Sequence, residues 1–205
     1  MQRPQFIENG IYHVYNRGVD KRKIFMDNKD YFRFVHDLFE FNDKNPAISG
    51  FRHGFNNHKP AEVGLRQVGM QKKDREPRKL LTDILIFTLM PNHFHLLLRE
   101  RERGNISKFM QKLGTGYTNY FNKKHERSGV LFQGKFKAVG LEENAHFLYL
   151  PHYIHTNPLK LMDSQSCRSR TSAGLEYLEN YRWSSYLDYI GKKKLPFCDA
   201  KRVFA

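Results

Sequence analysis

The sequence has few of the features that mark membrane, secreted or cysteine-based metal proteins. Its 205 residues include only two cysteines, Cys167 and Cys198, so neither a disulfide framework nor a cysteine-based zinc site is expected. No apolar run approaches the roughly 18 residues that a membrane-spanning helix needs. The first residues, "MQRPQFIENG", lack the apolar segment of a signal peptide. These absences predict a cytoplasmic protein with no membrane partner.

Acidic residues are also scarce. Lysine and arginine number 35 against 21 aspartate and glutamate, which gives a formal net charge of +14. Such an excess suits a polyanionic partner, because each neutralised phosphate releases condensed counterions. Anionic lipid is the alternative, but no strongly amphipathic basic helix stands out in the sequence. Charge and aromatic content together therefore favour nucleic acid as the partner.

Apolar periodicity predicts alternating strands and helices. Strands are expected at 11–18, 80–90 and 93–100, with a further short strand or hairpin within 125–141. Helices are expected after Asp27, after Asn105, over 142–157 and in "WSSYLDYIG", with Asp27, Asn105 and Ser184 or Ser185 as caps. Pro91-Asn92 is either a turn between two antiparallel strands or a bulge in one strand. The order β-α-β-β-α-β predicts an α+β fold, an antiparallel sheet with helices packed on it.

Two histidines, His93 and His95, lie in the strand "HFHLLLRE". Side chains alternate between the faces of a strand, so both imidazoles point to one face with Leu97, and Phe94 points to the other. Two adjacent imidazoles suit one metal ion. The pattern is short, however, and taken alone it is more often two histidines hydrogen-bonded to their neighbours.

The predicted helix over 142–157 carries a second set of polar groups. Tyr149, Tyr153 and Asn157 step by four and share a helix face, with His146 on the same stripe. A phenol there can attack phosphorus as a covalent nucleophile, and a metal can polarise the phosphate. Two nitrogens and an amide oxygen shift metal preference from Mg²⁺ towards Mn²⁺. Taken alone, each of the 11 tyrosines is more often a core residue. Pro151 predicts a kink or a restart of this helix.

Five motifs occur in one order along the chain: "YHVYNRG", "MPNHFHLLL", "GVLFQGKFKA", "YIHTNPLK" and "WSSYLDYIG". Together they resemble the single-tyrosine HUH transposases, the insertion-sequence-200-like group, and within it the REP-associated tyrosine transposases. The resemblance covers about 5–101 and 105–161, with a weaker tail at 181–191. It implies a single domain over 1–205, with a basic insertion at about 52–80 and a polar insertion at about 162–180. The basic insertion is either a solvated loop or an arm that contacts nucleic acid.

The resemblance also implies a fold, a chemistry and a site. The fold is a ferredoxin-like antiparallel sheet with helices packed on it, the HUH endonuclease core. His93, His95 and Asn157 would bind Mg²⁺ or Mn²⁺, and Tyr153 would be the nucleophile, with Tyr149 as the fallback. The activity is cleavage and rejoining of single-stranded DNA at hairpin-containing sequences, REP-like or at transposon ends, through a 5′-phosphotyrosine without a nucleotide cofactor. Members of the group act as monomers or homodimers.

Basic residues near these motifs are candidates for DNA contact. They follow the first strand or flank Phe136: Arg17, Lys21, Arg22, Lys23, Lys135 and Lys137. Each basic cluster taken alone is more often a solvated face. His13 is either a partner that orients a metal ligand or a satisfied core histidine. A protein that binds DNA in this way is expected to be associated with the nucleoid.

Two other functions compete with a transposase. The first is a non-catalytic domain that binds single-stranded nucleic acid with sheet aromatics, which the HFH strand disfavours because the expected rings are absent. The second is an HUH replication initiator or relaxase. Such enzymes usually have a longer histidine cluster or a second tyrosine, and Tyr149 keeps this alternative open.

Overall fold

The structure is a computed structural model that describes residues 4–46, 77–141, 144–162, 171–193, 195 and 198. Side chains of residues 144–148 are not among those described, so the position predicted for His146 lies outside the described part. Most of the predicted basic insertion at about 52–80, and residues 163–170 of the predicted polar insertion, also lie outside it.

Four strands form one antiparallel sheet in the order β2-β3-β1-β4. The strands are β1 (Ile11–Arg17), β2 (Thr82–Met90), β3 (His93–Glu100) and β4 (Lys137–Gly140). The helices are α1 (Asn28–Glu40), α2 (Asn105–Lys124), α3 (Asn144–Thr156), α4 (Ser172–Asn180) and α5 (Tyr186–Tyr189). Short 3-10 helices cover Val19–Lys21 and Asn157–Leu161. The predicted α+β fold is confirmed, and β3 and β1 are the central strands.

Pro91-Asn92 is a turn, as one of the two sequence interpretations proposed. Met90 pairs with His93 across it, so β2 and β3 form an antiparallel hairpin. The irregularity in this pair lies instead between Ile84 and Ile86, inside β2. Because of the extra residue there, Leu85 and Ile86 both point to one face of the sheet, and Ile84 and Phe87 point to the other face.

Helices cover both faces of the sheet. The larger core lies under α1 and α2 and includes Val14, Phe94 and Leu96 with the aromatic side chains Phe34 and Tyr117. The smaller core lies under α3 and is built from Leu85, Ile86, Leu97 and Ile154, all fully buried. The predicted alternation of β3 is therefore confirmed: Phe94, Leu96 and Leu98 pack in one core, and Leu97 packs in the other.

The C-terminal segment pairs with the outer edge of β2. The amide of Leu89 donates to Trp183 O at 2.9 Å, and the amide of Ser185 donates to Phe87 O at 3.0 Å. Thr88 and Ser184 form an antiparallel bridge between these bonds. The helix predicted in "WSSYLDYIG" follows directly as α5, with Ser185 at its N-cap position. This pairing satisfies backbone groups that an open edge strand would leave exposed.

Two local features differ from the sequence interpretation. Asn105 is the first residue of α2 and not its cap; the N-cap position is Gly104, whose φ of 86° suits glycine. α3 runs continuously through Pro151, so the proline neither ends nor restarts the helix. The described end of the polar insertion contains α4, which Thr171 caps through a hydrogen bond from the Gly174 amide.

The carboxylate of Glu100 caps α2 in place of Asn105. It accepts from the Asn105 amide at 2.6 Å and from the Ile106 amide at 2.9 Å, and Glu100 is fully buried. A negative charge at a helix N-terminus also interacts favourably with the helix dipole. The last residue of β3 thereby fixes the start of the next helix.

Glu100→Ala should destabilise the protein by about 2–4 kcal/mol, because it leaves two buried amides of α2 without an acceptor. Urea unfolding measures the change. Glu102→Ala is the matched control: Glu102 is exposed and its ion pair with Lys44 lies at the surface, so its unfolding midpoint should stay close to that of the wild type. Equal midpoints for the two variants would contradict the capping role of Glu100.

Candidate active site

The polar groups of the sheet meet on the face that α3 covers. The register of β1 and β3 pairs Tyr15 with His95 and Arg17 with His93, and their side chains share this face. On the other side of β1, Tyr15 pairs with Lys137. A row of side chains therefore crosses the sheet from Lys137 through Tyr15 to His95.

His93 and His95 lie side by side, as predicted. Their ring centroids are 5.0 Å apart and the rings are nearly perpendicular, at 87°. His95 is buried, with 6% of its surface exposed, whereas His93 is partly exposed. One histidine is thus fixed inside the protein and the other lies at the edge of the site.

Each of the two histidines has a hydrogen bond at Nδ1. His93 Nδ1 lies 2.6 Å from Asn92 Oδ1, an oxygen that only accepts, so His93 carries its proton on Nδ1. His95 Nδ1 lies 2.9 Å from Nε2 of buried His13, and the donor in this pair depends on the tautomer. When His95 donates, the Nε2 atoms of both His93 and His95 keep their lone pairs for a ligand.

Burial keeps these imidazoles neutral. It lowers the pKa of His13 to about 4. It lowers the pKa of His95 to about 2, with smaller contributions from His13, His93 and Lys160. The pKa of His93 is also lowered, first by burial and then by the charges of Lys160 and Arg17. All three rings are therefore in the neutral form that binds metal ions at neutral pH.

Helix α3 brings Tyr153 to the histidines. Ile154, the next residue, is fully buried in the core with Leu85, Ile86 and Leu97, which fixes the rotation of the helix. The Tyr153 ring centroid consequently lies 6.0 Å from that of His95 and 6.4 Å from that of His13. The structure thus places together the three predicted groups Tyr153, His93 and His95.

His155 anchors the end of α3 to the C-terminal segment. Its Nε2 lies 2.8 Å from Ser185 Oγ, and Ser185 in turn bonds to the backbone of Phe87 in β2. Burial lowers the pKa of His155 to about 3, with a smaller contribution from His152. This neutral contact connects the helix that carries Tyr153 to the outer strand of the sheet.

Asn157 begins the 3-10 helix that follows α3, and only 1% of its surface is exposed. Its Nδ2 donates to the Tyr153 carbonyl at 2.8 Å, so its Oδ1 points away from that carbonyl. Lys160 Nζ donates to this Oδ1 at 2.9 Å. The same ammonium lies 5.1 Å from the centre of the Tyr153 ring. Sequence reasoning did not single out Lys160, although it lies in the quoted motif "YIHTNPLK", three residues after Asn157.

Tyr149 stacks on Tyr153 from one helical turn before it. The ring centroids are 6.2 Å apart, the rings are inclined by 24°, and 65% of the Tyr149 surface is exposed. One face of the Tyr149 ring is thus covered by Tyr153 while most of the side chain contacts solvent.

The candidate site provides three ligands for a divalent cation only if the side-chain amide of Asn157 is one of them. Among the residues that the structure describes, no group of three or more histidine, cysteine, aspartate or glutamate side chains could hold a metal ion. Two neutral imidazoles and the oxygen of Asn157 remain as the ligands that the sequence predicted. Nitrogen and amide oxygen donors fit Mn²⁺ or Mg²⁺, with the nitrogens favouring Mn²⁺.

The predicted DNA-binding residues cluster at the end of the sheet that carries His93. Arg17 lies opposite His93, and the amide of Gln133 donates to Arg17 O at 2.8 Å, which brings the loop with Lys135 beside β1. The segment with Lys21, Arg22 and Lys23 lies beside the β2–β3 turn, because the Gly18 amide donates to Asn92 O at 2.9 Å. These three basic residues and Lys135 and Lys137 are exposed.

Comparisons with known proteins agree with this geometry. Residues 74–157 match the model of a protein family described as "Transposase IS200 like", a stretch that includes His93, His95, Tyr153 and Asn157. A search of curated proteins found no match. The stretch that carries the candidate site is thus similar to IS200-like transposases, and the resemblance predicted from the motifs is confirmed.

A solved structure shares the fold. It is the "Structure of the REP associates tyrosine transposase bound to a REP hairpin", with 10% sequence identity and a TM-score of 0.57. The alignment covers 97% of this chain and 96% of that chain. In the described part of the chain, no helix is both long and apolar enough to cross a membrane.

His155 should make stability depend on pH. An unfolded histidine takes up a proton as the pH falls through about 6.5, whereas folded His155 stays neutral down to about 3. The free energy of unfolding should therefore fall as the pH drops from 6.5 towards 3, by up to about 1.4 kcal/mol per pH unit. His155→Gln, which can still contact Ser185, should flatten this dependence in urea unfolding at pH 7.5, 6 and 5.

His152→Gln is the control for this measurement, since His152 is exposed on the same helix. Its pH dependence should stay close to that of the wild type, including the contributions of His13 and His95, because His152 makes only the smaller contribution to the lowered pKa of His155. A His155→Gln curve parallel to the wild-type curve would show that His155 does not exclude a proton in the folded protein.

Proposed function

We propose that this protein is a metal-dependent, transposase-type endonuclease and strand transferase that acts on single-stranded DNA. The observation that carries the proposal is the phenol of Tyr153 beside two neutral histidines, with ring centroids of Tyr153 and His95 6.0 Å apart. The match to IS200-like transposases over the same residues supports the transposase class.

His93 and His95 would hold a divalent cation, Mg²⁺ or Mn²⁺, through Nε2, together with Oδ1 of Asn157. Bound there, the cation would polarise an oxygen of the scissile phosphate as a Lewis acid. Asn92 would orient His93, and His13 would orient His95 by accepting a hydrogen bond from its Nδ1.

Tyr153 would be the nucleophile. Its phenol loses a proton to solvent, and the phenol oxygen attacks the phosphorus and forms an oxygen–phosphorus bond. The bond from phosphorus to the 3′ oxygen breaks, and that oxygen takes a proton and leaves as a 3′-hydroxyl. The 5′ end stays linked to Tyr153 as a phosphotyrosine. The reverse attack by a 3′-hydroxyl rejoins strands, and no nucleotide cofactor is needed because the phosphotyrosine keeps the phosphodiester energy.

The proposed substrate is single-stranded DNA with a hairpin, such as a REP-like sequence or a transposon end. The similar solved structure is described as bound to a REP hairpin. The basic residues near His93, among them Arg17, Lys21 and Lys135, lie where the DNA backbone would approach the site, as expected of a nucleoid-associated protein. Tyr153 lies beside the histidines of its own chain, so a monomer can assemble the site, and a homodimer would contain two such sites.

A replication initiator or relaxase is the second candidate. The observation that favours it is Tyr149, an exposed phenol stacked on Tyr153 one turn away, since such enzymes often use two tyrosines. A non-catalytic domain that only binds single strands is the remaining alternative. These two alternatives differ from the transposase, and from each other, in the covalent attachment to DNA that they predict.

Tyr153→Phe should abolish a covalent adduct between the protein and a labelled single-stranded hairpin in Mn²⁺ or Mg²⁺. The variant lacks the attacking oxygen and keeps the ring that packs near His95 and His13. Denaturing gel electrophoresis detects the adduct, and a chelator should prevent it in the wild type. Tyr149→Phe is the matched control and should retain the adduct.

The same assay distinguishes the alternatives. An adduct that persists in Tyr153→Phe and disappears in Tyr149→Phe would assign the nucleophile to Tyr149. Adducts at both tyrosines would favour the replication initiator. Wild-type protein that binds the strand and never forms an adduct, with any hairpin or metal, would identify a binding domain.

His13→Phe should weaken Mn²⁺ binding by about 10–100-fold, because His95 loses the partner that orients it and holds the proton on Nδ1. His13→Gln offers an amide oxygen to His95 and should recover most of the affinity. Isothermal titration with Mn²⁺ measures both variants, and ¹⁵N chemical shifts of the His95 ring report its tautomer. Unchanged affinity and tautomer in His13→Phe would rule out this role.

A further inference from the structure

Lys160 is a cation beside the candidate site. Its Nζ lies 2.9 Å from Asn157 Oδ1 and 5.1 Å from the centre of the Tyr153 ring. One ammonium therefore lies beside both the proposed amide ligand and the proposed nucleophile.

We propose that Lys160 is an exchangeable cation: a divalent metal ion displaces its ammonium from Asn157 Oδ1, and the displaced ammonium then binds the scissile phosphate beside Tyr153. The inference rests on the proposed function and adds to it a substrate-binding residue and a coupling between metal binding and DNA binding.

The side-chain amide of Asn157 cannot rotate to avoid the competition between the Lys160 ammonium and a metal ion for its Oδ1. Its Nδ2 donates to the Tyr153 carbonyl at 2.8 Å, and only 1% of the residue is exposed, so Oδ1 is the one oxygen it offers to the site. An amide oxygen has two lone pairs, but an ammonium and a divalent cation on the same oxygen repel each other. The more flexible group must move, and Lys160 is an exposed residue on a long, rotatable side chain.

The released ammonium has a nearby partner. A phosphate attacked by the Tyr153 oxygen must lie beside that ring, and Lys160 Nζ is already 5.1 Å from the ring centre. Lysine binds phosphate as a compact point charge without demanding a fixed orientation. Metal and DNA would therefore bind cooperatively, since the metal frees the ammonium that the phosphate needs.

A purely structural role for Lys160 makes the opposite prediction. If its hydrogen bond only holds Asn157 in place, its removal would disorder a metal ligand and weaken metal binding. If it competes with the metal, its removal would strengthen metal binding. The sign of one measurement separates the two roles.

The first experiment titrates the full-length protein with Mn²⁺ in the absence of DNA, followed by electron paramagnetic resonance of free Mn²⁺. K160M should bind Mn²⁺ about tenfold more tightly than the wild type, and K160R, which keeps the charge, should stay near the wild type. Lys29→Met removes the same charge from an exposed residue of α1, on the opposite face of the sheet, and should not change the affinity.

Equal or weaker Mn²⁺ binding by K160M would overturn the exchange. Failure of the proposed function looks different: the wild type would then show no Mn²⁺ site that is lost in His95→Ala. The two failures are thus distinguishable in one series of titrations.

The second experiment measures the rate of adduct formation with a single-stranded hairpin at saturating Mn²⁺. K160M should react roughly 10–100-fold more slowly, since the phosphate loses a charge-assisted hydrogen bond, while K160R should keep most of the rate. A wild-type rate for K160M at saturating metal would overturn the phosphate contact.

Discussion

The candidate site depends on the packing of one isoleucine. Ile154 is fully buried against Leu85, Ile86 and Leu97, and this contact sets the rotation of α3 over the sheet. Its neighbour Tyr153 then points towards His95, and the hydrogen bond between His155 and Ser185 holds the following residue. Since a helix places successive side chains about 100° apart, these contacts on each side of the phenol leave it little freedom.

Burial under α3 gives the site its electrostatic character. The sheet face carries neutral imidazoles because desolvation lowers the pKa of His13 and of His95. Basic groups lie around these rings: Arg17 lies opposite His93, and Lys137 lies in the row with Tyr15 and His95. A neutral centre with a positive rim suits a ligand that is a polyanion and reacts at one phosphate.

Sequence reasoning succeeded where periodicity decides the structure. The alternation of β3 predicted which face carries His93 and His95, and the four-residue step predicted that Tyr153 and Asn157 share a side of the chain. It failed where partners are distant in sequence. The role of His13 stayed open because its hydrogen bond to His95 joins residues that only the folded sheet brings together. The cap that Glu100 provides was missed although Glu100 lies only five residues before Asn105. Lys160 was missed although it is local, because sequence spacing does not reveal which acceptor an exposed lysine chooses.

The pairing of residues 183–185 with β2 also limits where a further strand can pair with the sheet. Phe87 and Leu89 already bond to this segment, and Ile84 forms a parallel bridge with Cys198, so the outer side of β2 is occupied at both ends. In the part of the chain that the structure describes, strand addition by another polypeptide is left to β4, a strand of four residues whose Val139 is 44% exposed. Two copies joined through continuous sheets would therefore meet at β4, next to the row that leads through Tyr15 to His95.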